Sequence, residues 1–212
     1  MAELEEFGAD RDDIGGSSFK KYKGKKGNTD RIGIIYHDPK KLFRGLKAHY
    51  KERYFACKSE KGKAPEICCT HSYEGNLAKY RIGAVIVVYD LVVKAGKTKL
   101  NGYEVMPWVF GEKMYDKLNS ADKEFPLASH DIKLTCTNDE YQNIDIQSCK
   151  ECIWVNGDLK EKVLEEAQSY FDNMSRSLAA TLSLSEVREQ LGIDEPGSED
   201  AAADVDLEDV IS

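Results

Sequence analysis

The run from Lys79 to Val93, KYRIGAVIVVYDLVV, constrains the fold more than any other stretch. Its β-branched and aromatic content predicts a strand, and Gly83 inside it predicts a bulge or a sharp bend. Its apolar centre, Ala84 to Tyr89, is the longest in the chain and falls far short of the ~20 residues that span a bilayer. The first thirteen residues, MAELEEFGADRDD, are acidic and lack the apolar stretch of a secretory signal. Membrane-embedded and secreted classes are therefore not expected. With 212 residues and 41% apolar content, the chain suits one domain of about 150–190 residues plus tails.

Further strands are predicted at Arg31–Tyr36, Arg53–Cys57, Tyr103–Phe110, Asp131–Thr137 and Asn143–Val155. Pro107 marks the third of these as an edge or bulged strand. A short helical stretch with Leu42, Phe43 and Leu46 follows His37, and a helix is predicted from Glu112 to Ser120. Asp158 and Glu161 resemble a capping box ahead of Leu159, Val163, Ala167, Tyr170 and Met174 at helical spacing. A last short helix starts at Ser185 and stops at Gly192. No internal repeat is present. The expected fold is mainly β: an OB-fold-like barrel of about five strands with C-terminal helices and a disordered acidic tail, a β-sandwich being the alternative. Residues 1–29 read as a flexible arm, acidic and then basic. Residues 30–193 read as the folded domain and 194–212 as the tail.

The net charge of -8 conceals a sorting of charge along the chain. Residues 14–100 hold 20 bases and 7 acids, residues 101–193 hold 9 bases and 17 acids, and the last 19 residues hold eight acids and no base. A basic half followed by an acidic half is the footprint of a polyanion binder rather than of a uniformly acidic protein. Between Phe19 and Arg81, aromatic residues interleave with 17 lysines and arginines. Single-strand binding needs this mixture, because bases stack on aromatic faces while cations follow the phosphates. Lys47, Lys51, Arg53, Lys79 and Arg81 are the phosphate-binding candidates. Tyr54, Phe55, Tyr80, Tyr103 and Trp108 are the stacking candidates, although neighbours on a strand face opposite ways, so one of Tyr54 and Phe55 belongs to the core.

Catalytic signatures are missing: no GxSxG, Walker, HExxH or GxGxxG pattern occurs, so no enzyme is expected. Six cysteines without a signal peptide point to thiols rather than disulfides. His49, Cys57, Cys68 and His71 form a candidate zinc set, and Cys149-x-x-Cys152 has ligand-pair spacing. The alternative is that these are reduced, half-buried cysteines beside surface histidines. That is the expectation taken, with no cofactor required.

The order of features resembles the single-stranded DNA-binding proteins of bacteriophages, among them the helix-destabilising protein of the T-even phages. A basic arm leads to a Tyr/Lys-rich strand and a cysteine-bearing loop, CKSEKGKAPEICCTH. The long strand RIGAVIVVYDLVV follows, then an aromatic strand running into FGEKMYDKLN. Helices and the acidic-apolar end DVDLEDVIS close the chain. The resemblance implies an OB-fold, sequence-independent binding of single-stranded DNA in replication, recombination and repair, and residence in the cytoplasm of an infected bacterial host. It further implies that the tail, here Asp206, Leu207, Glu208, Asp209, Val210 and Ile211, recruits replication and recombination proteins. An RNA-binding barrel and a protein-interaction module are the other readings.

Overall fold

The computed structural model describes residues 20–57, 78–137 and 144–191. In these residues the strands are β1 (Thr29–Ile35), β2 (Arg44–Lys51), β3 (Arg53–Ala56), β4 (Lys79–Lys94), β5 (Lys97–Gly111), β6 (Ile132–Cys136) and β7 (Ile144–Ser148). Helix α1 (Glu112–Glu124) lies between β5 and β6. Three helices follow β7: α2 (Gly157–Asp172), α3 (Met174–Leu178) and α4 (Leu184–Leu191). None of the helices is long and apolar enough to cross a membrane.

The predicted long strand is the spine. β4 pairs with β5 from Arg81/Gly111 to Lys94/Lys97, and the register shifts only between Asp90 and Leu91. The hairpin turns at Ala95 and Gly96, both at positive φ (52° and 72°), as a two-residue loop with matching twist requires. β5 occupies one edge of β4, so β2 and β1 share the other. β2 takes Lys79–Gly83 and β1 takes Val85–Val88. β3 extends the first branch, β6 and β7 the second, and every pairing between these strands is antiparallel. The sheet thus forks at Ala84.

The fold is mainly β, as expected, but the sheet is open and no barrel closes. Sixteen residues of β4 span about 50 Å, long enough to seat two partners end to end, and the two branches diverge instead of curling round to meet. Exposed edges are covered by other means. Beside β3, Ala56 N donates to Ala180 O and Ala180 N to Tyr54 O, each at 2.9 Å. On the free edge of β5, Tyr22 N donates to Pro107 O at 2.8 Å, so Pro107 does sit on an edge strand.

Both sheet faces are buried. On one, Ile32, Ile34, Ala84, Ile86, Met106 and Trp108 pack with Met114 and Leu118 of α1. On the other, Val85, Val87, Tyr89 and Val105 pack with Trp154, Val163 and Ala167, and with Met174 and Leu178 of α3. Gly83 makes no bulge; it lets α3 approach the fork. A Cβ there would lie 2.8 Å from Met174 Sδ and 2.9 Å from Leu178 Cδ2. A third, smaller core joins Phe55 to Ala180, Leu182 and Val187 of α4.

Asp131 ties the second branch together. Its carboxylate accepts from Arg31 Nε (3.0 Å), Tyr89 Oη (3.1 Å) and Ile153 N (3.1 Å), and Trp154 N donates to Tyr89 Oη at 3.0 Å. Desolvation by burial raises the Asp131 carboxyl above its ordinary value despite these donors and the Arg31 charge.

Three local expectations are corrected. The stretch holding Leu42, Phe43 and Leu46 is not helical. Leu46 also belongs to the period-two set Leu46, Ala48, Tyr50, and pairing with β4 selects the strand. The last strand ends at Ser148, where Cys149 N turns to Asp131 O. Asp158 lies in the first turn of α2 rather than at its cap, which is Asn156. A reciprocal capping box occurs instead at α4, where Ser183 N donates to Glu186 Oε2 (2.6 Å) and Glu186 N to Ser183 Oγ (3.3 Å).

Candidate nucleic-acid interface

The register sorts the candidate residues onto two faces. Paired residues across a ladder share a face, so Leu46/Arg81 and Tyr50/Tyr54 put Arg81, Tyr50 and Tyr54 together. Lys47/Tyr80 and His49/Phe55 lie on the opposite face. The small Ala48 sits between β3 and β4 on the first face. There the Arg81 guanidinium lies 3.5 Å from the Tyr54 ring centre, well within cation–π range. Tyr50 continues the stack at 4.7 Å from Tyr54. Tyr50 is 48% exposed and Tyr54 36%, so both rings keep solvent-accessible surface.

This stack borders a groove of about 630 Å³. Arg53, Tyr54 and Arg81 line it from the sheet, Val88, Glu104, Met106 and Val109 from the hairpin, and Arg176 to Ala180 from the end of α3. The opposite bank is the segment Lys20–Lys25, which carries four lysines into the lining. Seven bases thus face one acid, Glu104, which is paired to Lys20 at 2.9 Å.

The sequence KKYKGKK explains how that bank is held. In extended chain, alternate residues face opposite ways. Tyr22 and Gly24 are buried, while Lys23 and Lys25 are exposed and Lys21 is half-buried. Tyr22 packs edge-on to Trp108, with ring centres 5.9 Å apart, and donates to Asp30 Oδ2 at 2.8 Å. Burial pushes its phenol well above the ordinary range, so it stays a neutral plug. From Lys20 onward the basic arm is therefore anchored to the domain.

Of the residues singled out from the sequence, the groove gathers Arg53, Tyr54 and Arg81. Lys47 and Tyr80 pair with each other on the opposite face, with Lys47 Nζ 5.4 Å from the ring centre. Lys79 is exposed and Lys51 half-buried, both outside the groove. Two stacking candidates lie in the core and a third is half-buried. Phe55 is fully buried and stacks on His49. Trp108 is 3% exposed beneath Tyr22. Tyr103 is half-buried, with its hydroxyl donated to Glu166 at 2.7 Å. Bases cannot reach the first two rings.

Sequence reasoning missed Tyr50 as a site residue, the arm lysines and Arg176. Alternation about Tyr22 could have revealed the lysines. Nothing local marks Arg176. Of the candidate zinc set, His49 is buried and Cys57 half-buried on the same sheet face, while Cys68 and His71 lie outside the described residues. Cys152 is buried against Asp131, and desolvation holds its thiol high. No cluster of three or more metal-ligating side chains occurs among the described residues. The tail, Asp206 to Ile211, also lies outside them. No protein-family model, curated protein or solved structure matches the chain.

Proposed function

We propose that this protein binds single-stranded DNA without regard to sequence and protects it during phage DNA replication, recombination and repair. The observation that carries the reading is the Arg81–Tyr54–Tyr50 stack beside a groove with seven bases. Cations neutralise phosphates, and partly exposed tyrosine rings offer surface to any base. Stacking on such a ring requires an unpaired base whose face is free, which favours a single strand over a duplex. The described lining contains neither Asn nor Gln, the side chains that read adenine edges in pairs of hydrogen bonds. That composition suits tolerance of sequence. In this reading the acidic end, Asp206 to Ile211, is the contact for replication and recombination proteins.

Competition gel shifts with dT and rU oligomers at two salt concentrations test the proposal. Four to six neutralised phosphates give a slope of log K against log salt of about -3 to -4. Changing Arg53, Arg81 and Arg176 together to Gln should make that slope shallower by about 2. A preference for rU would reassign the groove to RNA. Binding to neither polymer would leave a protein-interaction module as the reading.

A further inference from the structure

The β4–β5 hairpin continues past the groove as a bare ribbon. Residues 93–101 are all exposed, Val93 to 74%, so both faces of the tip stand in solvent. The register gives those faces different chemistry. Val88/Glu104, in the groove wall, lie on the same face as Val92/Lys99 and Lys94/Lys97, because the bulge removes Asn101 from the count on β5; Arg81 and Val109, also in the wall, lie on the other face, so the groove draws on both. The reverse face carries Leu91/Leu100 and Val93/Thr98. Lower down, that reverse face meets α2, whose Glu166 accepts from Tyr103. The lysine face meets Lys20 of the arm at its base. Asp90 shares the lysine face, but its carboxylate is engaged by Asn101 Nδ2 at 2.5 Å.

We propose that Lys94, Lys97 and Lys99 form a second phosphate-binding station that extends the groove's track along the hairpin. This rests on the single-strand reading of the groove. Six residues from Val88 to Lys94 cover about 20 Å, the distance a strand must run beyond the groove wall to reach the tip lysines. A strand filling only the groove never reaches the tip, whereas a longer one crosses Glu104 and meets the three ammonium groups. Glu166 of α2, against Tyr103 on the reverse face, disfavours a polyanion there and leaves the lysine face to it.

The experiment compares the full chain with a Lys94→Gln, Lys97→Gln, Lys99→Gln variant on dT oligomers of 6 and 20 nucleotides. The 6-mer should bind both proteins equally. For the 20-mer, three lost contacts at ~0.7 each change the salt slope by about 2, so the parent's advantage should shrink about 18-fold between 50 and 200 mM salt. Thermal melts check that the variant folds; its substitutions are exposed and leave the turn intact. Equal losses at both lengths, or no loss on the 20-mer, would overturn the station while leaving the groove in place. The Arg53, Arg81 and Arg176 variant serves as the contrast and should weaken both oligomers. If the parent binds neither, the groove reading fails and the station with it.

Discussion

Replacing Gly33 by alanine should be among the most damaging single-methyl additions to this fold. Gly33 sits in β1 opposite Val87, with backbone pairing to β4 on either side. A Cβ would lie 2.6 Å from Trp154 Cδ1, 2.7 Å from Tyr89 Oη and 2.8 Å from Asp131 Oδ1. Ordinary contacts fall at about 3.5–4.0 Å, so all three groups must retreat by roughly 1 Å together. Overpacking of this kind costs about 1–3 kcal/mol. The retreat also strains the Tyr89–Asp131 and Trp154–Tyr89 hydrogen bonds, and leaving one buried group unsatisfied costs about 1–3 kcal/mol more. A total near 4 kcal/mol corresponds to a Tm lowered by about 8–16 °C for a chain of this size. Differential scanning calorimetry measures it, and near-ultraviolet circular dichroism follows the Trp154 environment. Tyr89→Phe removes one of the three obstacles, so its own cost should shrink or vanish in the Gly33→Ala background. A Tm within 2 °C of the parent, or additive costs in the double variant, would refute this packing argument.

The strand-face assignment separates two adjacent rings. Tyr54→Ala should weaken oligonucleotide binding by about 1–3 kcal/mol with little change in Tm. Phe55→Ala should instead cost about 3–5 kcal/mol of stability; fluorescence titrations and melts on both variants decide the matter. Burial raises the folded-state Asp131 carboxyl above its unfolded value. Its neutral form is therefore favoured by folding, a contribution present below the unfolded value near 3.9 and lost as pH rises through the folded one. Urea unfolding from pH 7 to 4 should show wild type gaining stability relative to Asp131→Asn; the opposite trend would mean that Arg31 outweighs desolvation. Truncation after Ile193 removes eight acids and should tighten oligonucleotide binding at low salt, converge with the full chain at high salt, and abolish capture of replication proteins. Unchanged affinity at low salt with partner capture intact would remove the tail from the mechanism.

What was legible followed from local periodicity. The β4 run, the edge position of Pro107 and the apolar stripe of α2 were all readable, because each depends on a few neighbouring residues. Alternation also required that Tyr54 and Phe55 part company. It failed at Trp108 because Val105, Met106, Pro107 and Trp108 are all buried. A strand covered on both faces has no polar alternation to show which aromatic is inside. Closure of the sheet was not legible either. Whether strands curl into a barrel depends on which edge of β4 each takes, and that is settled by pairing between residues far apart in the chain, such as Ala48 with Lys79 and Ile32 with Val88. Arg176 joins Arg53 only because Gly83 admits α3 to the fork. A missing side chain in one element thereby sets the position of a charge in another.

The plug made by Tyr22 changes when the entropy of the lysine bank is surrendered. A free basic segment must be immobilised at the moment of binding, and each rotamer-rich side chain held there forfeits about 0.5–1.5 kcal/mol of affinity. Here the backbone from Lys20 to Lys25 is ordered during folding, by a ring 8% exposed and a hydrogen bond to Pro107. Lys21, Lys23 and Lys25 then recur every second residue, about 7 Å apart along extended chain. Their backbone is set in place before any strand arrives, while the side chains of Lys23 and Lys25 reach into solvent. An arriving strand meets a preset backbone, so binding orders the lysine side chains but not the segment that carries them.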